Sequence, residues 1–371
     1  MEEIITALSR FSGLFVIARN SSFIYKGRAV DVKQVGRELG VRYVLEGSVR
    51  KAGSQVRITG QLIDASSGAH LWADRFDGGL ENIFDLQDQV TSCVVGAIAP
   101  KLEQAEIERA KHKPTESPDA YECFLRGMAS YYLQTGDALN EALRLFYKAI
   151  ELDPEFASAY GMAAWCYGSR KINAWVSDHS REIAETARLA RRAAELGPED
   201  AVALSRGAHA LALVVGDLEA ATTLVDRAVT LNPNLWGAWH ASGWVRVYRG
   251  EPEVAIEHFA RAMRLSPLDP RAVSLQAGTA FAHFLARRYD TASSWAEKAM
   301  WAQTNYRTPI RIAAASHALA GRLAEARKAM ARLRELDPAM PVANVEWAQL
   351  RRPEDLARLE DGLRKAGLPE T

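Results

Sequence analysis

Eight histidines, three cysteines and an Asp74-Arg75-Phe76-Asp77 run are the residues of this sequence whose chemistry could reach beyond packing. Metal binding would need imidazoles or thiolates grouped at ligand spacing. The histidines (His70, His112, His179, His209, His240, His258, His283 and His317) form no HxxxH or HExxH pair, and none stands near a cysteine at such spacing. They read as solvated or helix-packed rings. Cys93, Cys123 and Cys166 are too few and too scattered for a disulfide framework or a CxxC site, and they read as small buried hydrophobes in a reducing compartment. The two carboxylates of Asp74-Arg75-Phe76-Asp77 have no nearby histidine or nucleophile, so they make no acid–base device. There is no GxGxxG and no GxxxxGK[ST], and Gly47–Gly53 reads as strand and turn rather than a phosphate cradle. Arg50, Lys51 and Arg57 make a small basic spot that blunts an edge strand. The expectation is a protein with no catalytic residues, no cofactor and no metal.

Charge narrows the partners. The 371 residues carry 46 Lys+Arg against 46 Asp+Glu, with pI near 7.1. The balance also holds locally: residues 1–118 contain 15 of each sign, which leaves 31 of each for the rest. Nucleic-acid binding needs a cationic surplus, so no nucleic acid is expected as partner. No apolar run of about 18 residues suits a membrane span. The start, Met1-Glu-Glu-Ile-Ile-Thr, has no basic leader, so no membrane contact is expected and the location expected is the cytoplasm.

The elements that would position a binding surface are repeats. The motifs Ala149-Ile-Glu-Leu-Asp-Pro154, Ala193-Ala-Glu-Leu-Gly-Pro198, Ala228-Val-Thr-Leu-Asn-Pro233, Ala262-Met-Arg-Leu-Ser-Pro267 and Leu333-Arg-Glu-Leu-Asp-Pro338 close units whose prolines lie 44, 35, 34 and 71 residues apart. That is the period of tetratricopeptide repeats, with two units in the last gap. In the clearest unit, Gly243 and Ala255 let two helices approach, Gly250 turns between them, Phe259 and Ala262 pack, and Pro267 ends the unit. Gly136-Asp137 and Gly216-Asp217 take the turn in the first and third units, and Arg287-Arg288 replaces them in the fifth. The second carries about ten extra residues around Lys171–His179. Six repeats over 119–340 are predicted, followed over 341–371 by a capping helix, with Leu356, Leu359 and Leu363 on one face, and a tail.

Stacked helix pairs form an all-α superhelix whose concave wall is lined by the first helix of each pair. Met128 and the groove residues Tyr131, Tyr132, Trp165, Arg206, His240, Trp244, Tyr248, Phe281, Phe284 and Arg311 are expected there. Such an aromatic wall suits a protein or peptide partner. The Lys/Asn/Arg pattern that clamps a C-terminal carboxylate in some repeat domains is missing.

Residues 1–112 read as a small α/β domain with a mixed sheet. Leu14-Phe-Val-Ile-Ala is an apolar run fit for a buried strand. Val30–Leu39 is a helix capped by Asp31 and stopped at Gly40. Val41–Lys51 and Gln55–Asp64 form a hairpin, and His70–Asp77 a third antiparallel strand. A long helix from Asn82 to about Lys111, broken or kinked near Pro100, ends in a charged, exposed connector, and Lys113–Pro118 is the linker.

Ala18-Arg-Asn-Ser-Ser-Phe, Tyr25-Lys-Gly, Val41-Arg-Tyr-Val-Leu-Glu-Gly-Ser-Val-Arg, Gln61-Leu-Ile-Asp-Ala, His70-Leu-Trp-Ala and Ile83-Phe-Asp-Leu-Gln-Asp resemble the TolB amino-terminal-like domain. That domain precedes tetratricopeptide repeats at the C-terminal end of bacterial class III adenylate/guanylate cyclases and occurs in some transcription regulators. The cyclase-linked version is the nearer match, and the similarity covers essentially the whole chain, including Gly362-Leu-Arg-Lys-Ala-Gly-Leu-Pro. The resemblance implies a regulatory or sensory role beside a nucleotide cyclase. The metal-binding Asp pair and the other catalytic residues of such cyclases match no segment here, so cyclase activity is not carried over. Family members begin with a strand of the type Ile-Ala-Val-Leu-Pro-Phe, which is absent. Met1 is then a misassigned start, a truncation, or the scar of a lost catalytic domain in a longer gene. The sheet would expose an unpaired edge, a place for self-association.

Overall fold

The computed structural model describes residues 2–11, 14–17, 19–25, 27–28, 30–112, 119–266, 272–336 and 349–368. Pro267, Pro338 and the linker 113–118 lie outside them. The chain divides into two units, Met1–Arg109 and Ala110–Thr371.

In the first unit, α1 (Glu2–Leu8), the short α2 (Arg19–Ser22) and α3 (Val32–Leu39) precede β1 (Tyr43–Ala52), β2 (Gln55–Asp64) and β3 (His70–Gly79), and α4 (Ile83–His112) follows. Asp31 caps α3 by accepting from the Lys33 N–H, and Gly40 ends it at φ 65°. The sheet is antiparallel, in the order β1-β2-β3, not mixed. Ala52 pairs with Gln55, so Gly53-Ser54 is a two-residue turn with Gly53 at φ 61°, a value glycine adopts without strain. Alternation along β2 turns Val56 and Leu62 inward, with Ile58 half-buried beside them. On the wet face Ser48 meets Thr59 at 2.8 Å, the Gln61 amide donates to Glu46 at 2.8 Å, and Arg57 donates to Asp77 at 2.6 Å. Gly60 leaves room for the Trp72 ring: a Cβ there would stand 3.1 Å from the indole.

Against the inner face lie Ile4, Ala7 and Leu8 of α1 and Leu86, Val90, Val94, Val95, Ile98 and Leu102 of α4. Their spacing along α4, mostly steps of four, keeps one helical face on the sheet. Three expectations are corrected here. Leu14–Ile17 forms no strand; Leu14 and Val16 lean on the core while Phe15 is 89% exposed, because no described strand offers that run a ladder. The helix is not broken at Pro100, which removes a single N–H from a segment pinned by buried Val94, Val95 and Ile98. Over 101–107 its charged end is not wholly exposed: Leu102 and Ile107 are buried, and Glu106 accepts from Arg42 and from the Tyr43 hydroxyl at 2.6 Å each.

The second unit is helical. Six consecutive pairs run α5 (Ala120–Tyr132) with α6 (Gly136–Leu152), α7 (Ala157–Ile172) with α8 (His179–Leu196), α9 (Ala201–Ala210) with α10 (Leu218–Leu231), α11 (Trp236–Arg249) with α12 (Pro252–Leu265), α13 (Ala272–Leu285) with α14 (Tyr289–Ala302), and α15 (Arg307–Leu319) with α16 (Leu323–Leu336). The periodic small residues explain the packing. Ala142, Ala149, Ala221, Ala228, Ala255, Ala262, Ala292, Ala299 and Ala326 have no exposed surface. Phe259 is the knob of the fourth pair; a Cβ on Gly243 or Gly278 would stand 2.5 or 2.3 Å from its ring, so both positions must be bare. Gly216, Gly250 and Gly321 turn at φ 82°, 75° and 81°, and Arg287 takes the same left-handed conformation at 60°.

The first pair departs from expectation. Its left-handed turn is at Gln134, φ 51°, and Thr135 caps α6, so Gly136-Asp137 sits in the first helical turn instead. The last described helix, α17 (Pro353–Lys365), packs on α15, with Leu359 and Leu363 fully buried and Gly362 against Ala315.

Candidate binding pocket in the helical unit

Repeat spacing places the site. Trp165, His209 and Trp244 are 44 and 35 residues apart, the same offsets as the closing prolines, so they occupy one position in three successive pairs. Their rings stack: Trp165 on His209 at 4.1 Å between centroids and His209 on Trp244 at 6.3 Å. His240 and Ser274, 34 residues apart, are likewise equivalent, and His240 Nε2 meets Ser274 Oγ at 2.8 Å. Trp244 Nε1 donates to the same hydroxyl at 3.3 Å, and Trp165 Nε1 donates to the Tyr131 hydroxyl at 2.7 Å.

Beyond Ala210 the helix widens to a π-turn over Leu211–Val215, closed by the Gly216 N–H donating to the Leu211 carbonyl at 2.8 Å. The Leu213 carbonyl, inside this turn, accepts from Lys171 Nζ at 2.8 Å. The extra loop of the second pair also reaches the sixth: Arg307 donates from Nη1 to the Asn173 carbonyl at 2.5 Å and from Nη2 to the Leu336 carbonyl at 3.0 Å. First helices of distant pairs thus face one another across a cavity of about 40 Å³, room for a few waters or one small polar group. Its described lining includes Trp165, Lys171, His209, Trp244, Tyr248, Tyr306 and Arg311, and no carboxylate.

A strand of chain borders the site. The Arg351 N–H donates to the Tyr248 carbonyl at 2.9 Å, the Arg351 side chain pairs with Glu219 at 2.6 Å, and Arg352 lies over Gly250. Burial, followed by the nearby charges of His240 and Arg206, holds His209 well below the usual histidine range, so it is neutral at pH 7. Burial also pushes the Tyr248 and Tyr306 hydroxyls up.

Of the residues expected on the wall, Trp165, Trp244, Tyr248 and Arg311 line the cavity. Tyr131, Arg206 and His240 are buried. Tyr131 touches the lining through Trp165, Arg206 through its charge on His209, and His240 through its ring contact with His209. Tyr132 is half-buried against Tyr131. Phe281 and Phe284 are corrected: neither exposes any surface, since Phe281 packs edge-on to Trp244 and Phe284 on Tyr289, so they are core. His209, Lys171, Ser274, Tyr306 and Thr308 line the cavity without being expected on the wall. Adding the repeat offset to Trp165 finds His209.

Elsewhere, Cys123 and Cys166 are buried as expected, but Cys93 is half-buried. Asp77 is held below the usual carboxylate range by Arg57, with Arg75 also 3.2 Å away, so it has no proton to donate at neutral pH. Among the described residues no three His, Cys, Asp or Glu side chains converge on a metal position, and no helix is long and apolar enough to cross a membrane.

No protein-family model matches the chain. A curated relative, the Rhizobium meliloti "Putative adenylate cyclase 3", is 44% identical over 192 residues, which is 52% of this chain and 33% of that protein. The match therefore spans about a third of the relative's length. Among solved structures, "Human IFIT1 dimer with m7Gppp-AAAA" is 14% identical with TM-score 0.51, covering 68% of this chain and 62% of that one. A thermophilic TPR protein of Thermus thermophilus, TTC0263, is 21% identical with TM-score 0.38, covering 50% of this chain and 92% of that one. The human likeness carries the fold alone. Together with the alanine and glycine pattern above, it makes the second unit a tetratricopeptide-like array.

Proposed function

We propose that this chain is a non-catalytic, cytoplasmic protein-interaction module that docks a protein or peptide on the inner wall of its repeat array and regulates an adenylate cyclase. The observation that carries the docking half is the convergence of Trp165, His209, Trp244, Tyr248 and Arg311, from four of the six helix pairs, on one cavity. A surface assembled from so many repeats exists only when the array is folded, which suits recognition better than local chemistry. The cyclase half rests on the 44% identical stretch shared with a protein named as a cyclase. In this reading the sheet unit is the TolB-like domain, and its edge strands β1 and β3 offer a place for self-association. The test is co-purification of the chain with an adenylate cyclase catalytic domain from its own genome, with cyclic AMP formation measured with and without the chain. Altered output in the complex supports the reading; absence of both complex and effect contradicts it.

A second reading follows from the relative's greater length: the chain is the C-terminal regulatory part of a longer cyclase. An in-frame cyclase domain upstream of Met1 in the gene would establish it. A stop codon directly upstream would remove it.

A further inference from the structure

Arg206 has no counter-charge among the described residues. It lies on α9, 9% exposed, and among the described residues no hydrogen bond or ion pair reaches its guanidinium. One nitrogen sits 3.5 Å from where a Cβ on Gly237 would stand, so the group packs against the backbone of α11 at a position with no side chain. One turn further along α9 is His209, 2% exposed, whose Nδ1 is buried without a partner and whose ring lines the cavity. Arg311, 6% exposed, reaches the same cavity from α15. No nitrogen of this guanidinium is fully enclosed without a partner, so the charge stands uncompensated on the wall yet within reach of an arriving anion. Two half-buried arginines of this unit do hold a carboxylate: Arg170 meets Glu182 at 2.8 Å and Arg358 meets Asp355 at 2.8 Å.

The geometry points to an anion subsite on this inner wall, built on Arg206 with His209 and Arg311 beside it, that takes the side-chain carboxylate of an acidic peptide segment. The inference rests on the docking reading above and adds the partner's chemistry. The cavity that His209 and Arg311 line, one helical turn from Arg206, has room for one carboxylate group, and the Trp165 and Trp244 faces flanking His209 suit the methylenes that carry it. An acidic peptide is favoured over RNA because the unit has no cationic surplus to neutralise a run of phosphates.

The test is calorimetric titration of the full chain with a hexaglutamate peptide. Saturable binding is expected, weakened roughly tenfold or more in Arg206→Gln, the usual loss for one charge-assisted contact, and partly retained in Arg206→Lys. Arg206→Met is expected to bind no peptide yet melt at or above the parent temperature, because it removes an uncompensated charge from a largely buried side chain. A purely structural arginine would do the reverse, so a lower melting temperature in Arg206→Met would overturn the subsite. Equal effect of free acetate at matched carboxylate concentration would overturn the peptide assignment, and tighter binding of oligoadenylate than of hexaglutamate would replace it with RNA. If hexaglutamate fails to bind while the cyclase still co-purifies with Arg206→Gln, the subsite falls and the docking reading stands.

Discussion

The two units solve burial in opposite ways. In the helical array each pair lends its neighbour a surface, so residues as small as Ala255 and Ala292 lose all exposure and Phe259 is enclosed between α11 and α13. The three-stranded sheet covers one face with α1 and α4, while its other face is a polar ladder and its flanks leave Phe15 at 89%, Phe84 at 78% and Val49 at 70% exposed. Repetition makes every contact interior, whereas a small sheet is mostly edge. The array can therefore keep polar groups such as Arg206 and His209 inside.

That contrast can be broken by substitution. Phe259→Ala should destabilise the array by about 3–5 kcal/mol, read by urea denaturation, since the ring is fully buried and little around it can collapse. A loss below about 1 kcal/mol would mean that the knob is not enclosed. Gly278→Ala should cost about 1–3 kcal/mol by forcing its new methyl into the same ring. If thermal melts of this variant match the parent, the close approach of α13 is wrong.

Acid sharpens the comparison further. His209 has a depressed pKa through burial, as do His258 and His283 more mildly. The unfolded chain then binds protons that the folded array refuses, so stability is full above about pH 6.5 and falls as pH drops below it. A His209→Gln variant should show a flatter profile below about pH 6.5. A steeper one would contradict the buried neutral ring. The smallest effect belongs to the sheet unit: Phe15→Ser should change stability by about 0.5 kcal/mol or less, measured by the same urea titration.

Legibility in the sequence follows the same division. Alanine and glycine at a fixed period leave little freedom, so the helix pairs, the turns at Gly216, Gly250 and Gly321, and even Arg287 standing in for glycine can be read directly. Local signals work in the sheet unit too, as Asp31, Gly40 and the Gly53-Ser54 turn show. What is illegible depends on partners. Leu14–Ile17 has strand composition but no ladder, and Glu106 reads as wet until Arg42 and Tyr43 stand beside it. On the wall, aromatic type does not separate Trp244, which lines the cavity, from Phe281, which packs behind it. His209 is silent for a different reason: a lone histidine carries no signal until its repeat equivalents are aligned.

The central claim is that recognition lives on the inner wall of the array. Amide hydrogen exchange of the full chain with and without hexaglutamate tests it most directly. The account predicts new protection in Ala201–Ala210, Trp236–Arg249 and Arg307–Leu319, and none in β1–β3. Protection on the sheet, or none on those three helices, would contradict it.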